Sequence, residues 1–512
     1  MKKSMIALSV VAAFATSSFA NAISNEEMLK QINALKAQIT ALENKLTQTQ
    51  NTSKENKVSL ENMMKSETIK VDDTRFKKLE KKVARNQKTI KDVKIHDSND
   101  NIKWDIDFRT QIDNLQYKFT DGTKKKNNSL MTNRLWLGMG YSPNENTIFK
   151  GKLSYLKAYG DSANHSQANV QPGYANFDWV TNENATDNSL KVKEAYWLYM
   201  NDTFLDTKVP WTFSVGRRPS TDGLGINLRE NMTPNSPLSH TVNVEFDGFS
   251  SKFTLDKVTD IPGMWLKFCA GRGLTNATPR FSADGADYVK DDNETSDMDM
   301  FGFIFVPYDD GQYSIHTNYA RAWNMIGFTQ ADMFDGDNTN NNFKDFGDMD
   351  LATVMFKAYG IGDGISDYLD DTTFFASYAM SRTHPKENMS MLGSTDSQTG
   401  HSFWLGVNAP CPISPDTSRI GIEWNKGSKY WRSMTYGEDT MAGSKIAARG
   451  TAWEIYRHQK INDALSFELS FTRIDYDYYG SNGFFGFDGN PDLNMPYVKT
   501  AEDLKASIRY KF

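Results

Sequence analysis

From Trp104 to Phe512 the apolar residues of this chain recur at every second position, and no run in that stretch reaches the roughly 18 apolar residues that a membrane-crossing helix requires. A period of two is the signature of a strand whose two faces meet different surroundings. Trp104, Ile106, Phe108, Thr110 and Ile112 alternate with Asp105, Asp107, Arg109 and Gln111. Leu135, Leu137, Met139 and Tyr141 oppose Arg134, Trp136, Gly138 and Gly140; Phe403, Leu405 and Val407 oppose Ser402, Trp404 and Gly406; Ile420, Ile422 and Trp424 oppose Arg419, Gly421 and Glu423. Leu465, Phe467, Leu469 and Phe471 oppose Ser466, Glu468, Ser470 and Thr472. One face suits lipid and the other suits water, so a chain of this pattern crosses a bilayer as strands. Such strands must close on themselves, because an open edge in hydrocarbon leaves backbone groups without partners.

The connections carry the same message. Short links at 142–146, 306–312 and 460–463 alternate with long polar ones at 160–190, 327–349, 425–450 and 476–501. Counted from Trp104, this predicts an all-β transmembrane barrel of about sixteen antiparallel strands, with 14 to 18 as the range, short turns on one side and long loops on the other. The closing strand alternates Leu504, Ala506, Ile508, Tyr510 and Phe512 with Asp503, Lys505, Ser507, Arg509 and Lys511. It resembles the terminal signal by which insertion machinery recognises outer-membrane barrels, with Tyr510 and Phe512 as its aromatic residues.

Ahead of the barrel the period differs. Lys2 and Lys3, an apolar run from Met5 to Ala15 and the triplet Ala20-Asn21-Ala22 read as a cleaved secretory leader over 1–22. Met28, Ile32, Leu35, Ile39, Leu42 and Leu46 then step by three and four, and after a polar interruption Phe76, Leu79, Val83, Ile90 and Val93 continue the pattern. This is an α-helical coiled-coil seam, and Asn86 within it favours one register and homo-oligomeric self-association; a solitary amphipathic helix is the alternative. The expected division is leader 1–22, periplasmic stalk 23–98 and barrel 99–512. A 12% aromatic content argues against a disordered chain, and a mild net charge of -6, with lysines concentrated before residue 130 and acids in later Asn- and Gly-rich stretches, does not resemble a nucleic-acid footprint.

The stretch Gly216-Arg217-Arg218-Pro219-Ser220-Thr221-Asp222-Gly223, followed by Asn227-Leu228-Arg229-Glu230-Asn231, resembles a signature of an outer-membrane barrel family from epsilon-class proteobacteria. The resemblance, which extends to the Lys-rich stalk and the closing strand, implies a porin-like role. The stretch follows the strand Trp211 to Gly216 and opens the third long loop, 217–243, which in sixteen-stranded porins folds into the lumen. Arg217, Arg218, Asp222, Arg229 and Glu230 would then form a charged pore constriction, since opposed charges in a pore select solutes by sign and size. The alternative is that the arginines pin the loop to the wall through carboxylates.

Other chemistry is weaker. Asp335-Gly336-Asp337-Asn338-Thr339-Asn340 and Asp488-Gly489-Asn490-Pro491-Asp492 offer oxygen ligands for Ca²⁺ but lack the EF-hand spacing, so solvated turns are the better reading, and no cofactor is expected. No Gly-x-Ser-x-Gly elbow appears, and His165, His240, His316, His384, His401 and His458 are scattered; the expectation is no enzyme, although a serine site assembled in space stays open. Cys269 and Cys411 show no redox motif. Trp136 and Trp404 fall on the polar face without forming an inward aromatic ladder. The expected function is a channel for small hydrophilic solutes or ions, with a non-conducting structural barrel as the alternative. The expected partners are outer-membrane lipid and lipopolysaccharide, the barrel assembly machinery and the cell wall.

Overall fold

In the computed structural model the described residues are 102–512 apart from 161–188, 277–284, 287–288, 290–295, 335–342, 363, 436–437 and 439. The expected leader, the stalk and the first acidic loop, Asp335 to Asn340, lie outside them. The described residues form sixteen strands: β1 Lys103–Phe119, β2 Lys124–Tyr141, β3 Thr147–Ala158, β4 Lys191–Asn201, β5 Trp211–Arg218, β6 Phe246–Thr254, β7 Trp265–Leu274, β8 Met298–Asp309, β9 Tyr313–Gly327, β10 Lys344–Tyr359, β11 Thr373–Pro385, β12 Thr399–Pro410, β13 Ser418–Gly427, β14 Gly450–Lys460, β15 Leu465–Tyr476 and β16 Val498–Lys511. Each pairs antiparallel with its neighbours in sequence, and β1 pairs with β16 to close the cylinder. Closure leaves no edge strand along the shared length of the wall.

The two faces are those the alternation predicts. Along β1, Asp107, Arg109, Gln111, Asp113 and Leu115 are buried while Ile106, Phe108 and Ile112 are exposed. Around the wall the exposed set continues with Phe249, Phe268, Phe303, Ile315, Phe356, Leu405, Ile422, Ile455 and Leu504. Trp104, Tyr141, Tyr313, Tyr359 and Tyr510 are exposed near the ends of their strands, all at the rim where the sheet begins and ends. An apolar outer band edged by Trp and Tyr is the surface of a barrel set in a bilayer.

An even strand number puts both ends of the sheet at that one rim, here the closing rim. The opposite rim carries most of the long loops, including 159–190, 219–245, 275–297, 428–449 and 477–497. Two connections depart from strict alternation. The 120–123 link is a tight hairpin on the long-loop side, where Gly122 takes φ +89 and Asp121 Oδ1 accepts the Thr123 amide at 2.8 Å. On the closing rim, 360–372 carries a helical turn, Asp367–Asp370, whose cap Ser366 accepts the Leu369 amide.

The lumen is not uniformly polar. In its outer half, toward the long loops, Val242, Val244, Met298, Ala322, Met325, Ile326, Phe328, Met434, Phe484 and Phe485 pack together with exposures of 2% or less. This apolar core joins four loops to the wall of β8 to β10. It corrects the expectation that the inner face suits water throughout. Cys269 in β7 and Cys411 in the 411–417 turn are free thiols.

Candidate functional site in the barrel lumen

The connection from β5 to β6 turns inward. β5 extends beyond the expected end at Gly216, because the ladder continues through Arg217↔Asp247 and Arg218↔Phe246. Pro219, with no amide hydrogen, follows the last paired residue. Arg217 and Arg218 are therefore strand residues on opposite faces. Arg217 lies beside Asp247 at 3.5 Å, and the Asp247 side chain is 66% exposed on the outer face. Arg218 faces the lumen, donates to Ser250 Oγ and lies over the Tyr196 ring. Arg217 thus faces away from the lumen, and Arg218 meets Ser250 and Tyr196 instead of Asp222, Arg229 or Glu230, so the expected five-residue constriction is not assembled as a group.

The loop, 219–245, holds Asp222, Arg229 and Glu230 inside the barrel. Leu224, Ile226 and Leu238 pack with Met355, Phe375, Trp404 and Ile446, and this apolar footing seats the helical turn α1, Ile226–Arg229, against β10 to β12. Gly225, at φ +102, lets the backbone approach Trp404, where a Cβ would overlap the indole. A second attachment is a parallel bridge between Val242 and Met434, with Met434 N donating to Thr241 O and Asn243 N to Met434 O. Loop 219–245 is in this way joined to loop 428–449.

At the end of α1 the charges converge. Arg229 Nη1 donates to Glu438 Oε1 at 3.1 Å and lies 3.5 Å from Glu423 and 3.6 Å from Glu454. Lys445 contacts Glu423 and Glu454. Glu438 also accepts from Ser444 Oγ and the Ile446 amide, and Glu423 from Trp404 Nε1. On the other side Glu230 meets Arg109 and Arg134, each at 3.5 Å. Its carbonyl accepts from Arg509, which is bound to Asp107 through Nε at 2.7 Å. Burial alone would raise the Glu230 carboxyl, but Lys505, Arg109, Arg134 and Arg229 outweigh it and hold it below the usual carboxylate range. At Asp222 the balance goes the other way: burial outweighs the attraction of Lys193, Arg134 and Lys152 and pushes the carboxyl up.

Five cations (Arg109, Arg134, Arg229, Lys445, Arg509) thus interlock with five carboxylates (Asp107, Glu230, Glu423, Glu438, Glu454), all nearly excluded from solvent. Sequence reasoning found Arg229 and Glu230 but missed their partners. Register holds a signal: Glu423↔Glu454 is a directly opposed pair of inward carboxylates, which requires a cation between them.

Below this network, toward the closing rim, lies a vestibule of about 1120 Å³. Asn227, Leu228, Asn231 and Met232 of the loop form its ceiling, and Arg419, His458, Lys460, Arg509 and Lys511 are among its wall residues. Phe512 lines its mouth and Tyr510 lies on the outer face at the closing rim, both with exposed side chains, and the Phe512 backbone is bonded to Ile106 in both directions at 2.9 Å.

The remaining candidates are placed as follows. His240 is wholly buried, its ring nitrogens 2.7 and 2.9 Å from Ser377 Oγ and Ser402 Oγ, and its ring edge-on to Trp404 and Trp431. No substrate can approach it there. Asp488, from the second acidic loop, is buried and accepts the Phe328 and Phe484 amides, so it braces two loops instead of facing solvent. Among the described residues no three His, Cys, Asp or Glu side chains gather as a metal site would need. Trp136 is buried in the lumen under the Arg134 guanidinium at 3.7 Å.

The closed sixteen-stranded cylinder with an apolar outer band and a charged loop inside it defines an outer-membrane β-barrel of porin-like fold. Its sequence over residues 124–512 matches the profile of DUF3373, described as protein of unknown function, and the chain belongs to that family. No curated protein matches it. Among solved structures it is similar to Pseudomonas putida OprB in a high-pH structure, with 11% identity, TM-score 0.45 and coverage of 82% of this chain and 96% of that one. It is similar also to Salmonella typhi OmpF in complex with daunomycin, with 12% identity, TM-score 0.44 and coverage of 81% and 99%. An anion-selective porin from Comamonas acidovorans gives 10% identity, TM-score 0.44 and coverage of 80% and 99%.

Proposed function

We propose that this chain is a narrow porin-like channel of a Gram-negative outer membrane, with the closing rim and the N-terminal stalk in the periplasm. The observation that carries the reading is the luminal loop 219–245, which sets Arg229 and Glu230 across the barrel above a vestibule walled by polar and charged side chains. Opposed fixed charges at the narrowest level admit small ions and hydrophilic solutes and exclude large ones. Lipopolysaccharide and lipid would surround the apolar band, and Tyr510 and Phe512 would serve recognition by the assembly machinery.

A second reading, a non-conducting barrel that tethers the membrane through its stalk, is favoured by one observation. The ion network and the apolar core above it leave almost no exposed surface at mid-lumen. Conductance of the purified full-length protein in planar bilayers separates the two. Discrete conductance steps support the channel, and a correctly folded protein that gives no steps at any voltage overturns it.

A further inference from the structure

The luminal network described above matches each cation to a carboxylate. One part of the lumen wall does not. On β5, β6 and β7, Arg218, Lys252 and Lys267 all point inward, since Phe253 and Phe268, adjacent in sequence to the two lysines, meet each other on the outer face. Lys252 and Lys267 are directly opposed in the ladder, and Lys267 stands in the field of both Lys252 and Arg218.

Like charges directly opposite on one sheet face repel, and half-buried charges require compensation. Among the described residues, the contacts of these three side chains carry no negative charge. Arg218 has the Ser250 hydroxyl and the Tyr196 ring, Lys252 the face of Trp265 at 4.4 Å, and Lys267 the Ser236 hydroxyl at 2.7 Å. The Cys269 thiol lies beside Arg218 and Lys267, and of the carboxylates whose field reaches the three cations, Glu194 is occupied by Lys152 at 2.6 Å and Asp256 lies in the closing-rim turn after β6. Between this wall and the luminal loop lies a cavity of about 70 Å³, where Arg218, Ser220, Ser236 and Lys267 are the polar groups among apolar neighbours such as Val242, Phe246 and Met300. That is several times the roughly 10–15 Å³ that one water needs, and so of a size for one small oxyanion.

We propose that Arg218, Lys252 and Lys267 form an anion-binding site in the lumen wall beneath loop 219–245, for a small oxyanion of the phosphate or carboxylate kind. Arg218 and Lys267 supply charge-assisted donors, and Ser236, already accepting from Lys267, keeps its own hydroxyl hydrogen to donate. Lys252, paired with Lys267, extends the positive field along the wall toward the closing rim. The site does not require conduction, but in a conducting barrel it would favour anions.

The test is titration calorimetry of the full-length, detergent-folded protein with inorganic phosphate at low ionic strength. The expected result is saturable binding that weakens about tenfold or more in Lys252→Gln/Lys267→Gln. Binding should survive in Lys252→Arg/Lys267→Arg and in the exposed hairpin variant Lys124→Gln. Heat-modifiable migration identifies the folded fraction, and if the double Gln variant does not fold, Lys252→Gln alone, at the less enclosed position, takes its place. Absence of phosphate binding, or equal binding by wild type and the Gln variant, overturns the site. Conductance without phosphate binding would leave the channel standing and remove this site; phosphate binding without conductance would do the reverse.

Discussion

Gly225 lies against the edge of the Trp404 indole, closely enough that no side chain fits between the luminal loop and the β12 wall. The glycine also takes a positive φ of +102, so a substitution there meets both strain and overlap. Gly225→Ala should therefore lift α1 from its seat and lower stability by about 1–3 kcal/mol, the range for overpacking a filled site. A drop in the urea midpoint of the refolded barrel, with protease cleavage appearing near 225, is the expected outcome. An unchanged midpoint would show that the loop is held elsewhere.

Arg229 is the cation on which three wall and loop carboxylates converge. Arg229→Gln should leave Glu423 and Glu454 with Lys445, and Glu438 with only its Ser444 and Ile446 donors, at a cost of about 3–5 kcal/mol for a broken buried network. Adding Glu438→Gln should recover part of that loss. If the barrel conducts, the single variant should become more cation-selective, read as a shifted reversal potential across a salt gradient. Wild-type stability and wild-type selectivity in a folded Arg229→Gln protein would remove the residue from the constriction.

His240 gives an acid dependence whose sign follows from its burial. Burial pushes the folded-state imidazole down to about 3, below its ordinary value of 6.5. Above 6.5 the ring is neutral folded or unfolded and contributes no pH dependence. As pH falls below 6.5 the unfolded chain binds a proton that the folded one refuses, so stability declines by about 1.4 kcal/mol per unit until the folded value is reached. His240→Gln should flatten the slope of the urea midpoint between pH 6 and pH 4, and an unaltered slope would assign acid sensitivity to other groups.

Orientation can be read by thiol labelling in a background lacking Cys269 and Cys411. Glu387→Cys, exposed in the 386–398 loop, should react with a membrane-impermeant maleimide on intact cells, whereas Asp416→Cys, exposed in the 411–417 turn, should react only after the outer membrane is opened. The reverse pattern would invert the barrel.

Much of the wall was legible because burial on a strand is a local property: Asp107 and Phe108 differ in surroundings simply by parity. The pattern fades where both faces are apolar, as in β8, with Met298, Ile304 and Val306 inside and Phe301 and Phe303 outside; there sequence alone concealed the luminal core. The site was legible only in part for a different reason. Arg229 and Glu230 advertise charge in a loop, but Glu423, Glu454 and Arg509 reach them only once the cylinder closes, and no local spacing encodes that meeting. Arg217 and Arg218 show the limit of motif reading: adjacent in sequence, they are sent to opposite faces because the strand runs past Gly216.

Glu230 touches Arg109 on β1, Arg134 on β2 and Arg509 on β16, the strands that flank and form the seam where the sheet closes. A segment that begins at β5, far around the cylinder, is thus the bolt across its joint. Parting β1 from β16 means drawing that bolt, so the strength of the seam and the seating of the inner loop are tied to each other.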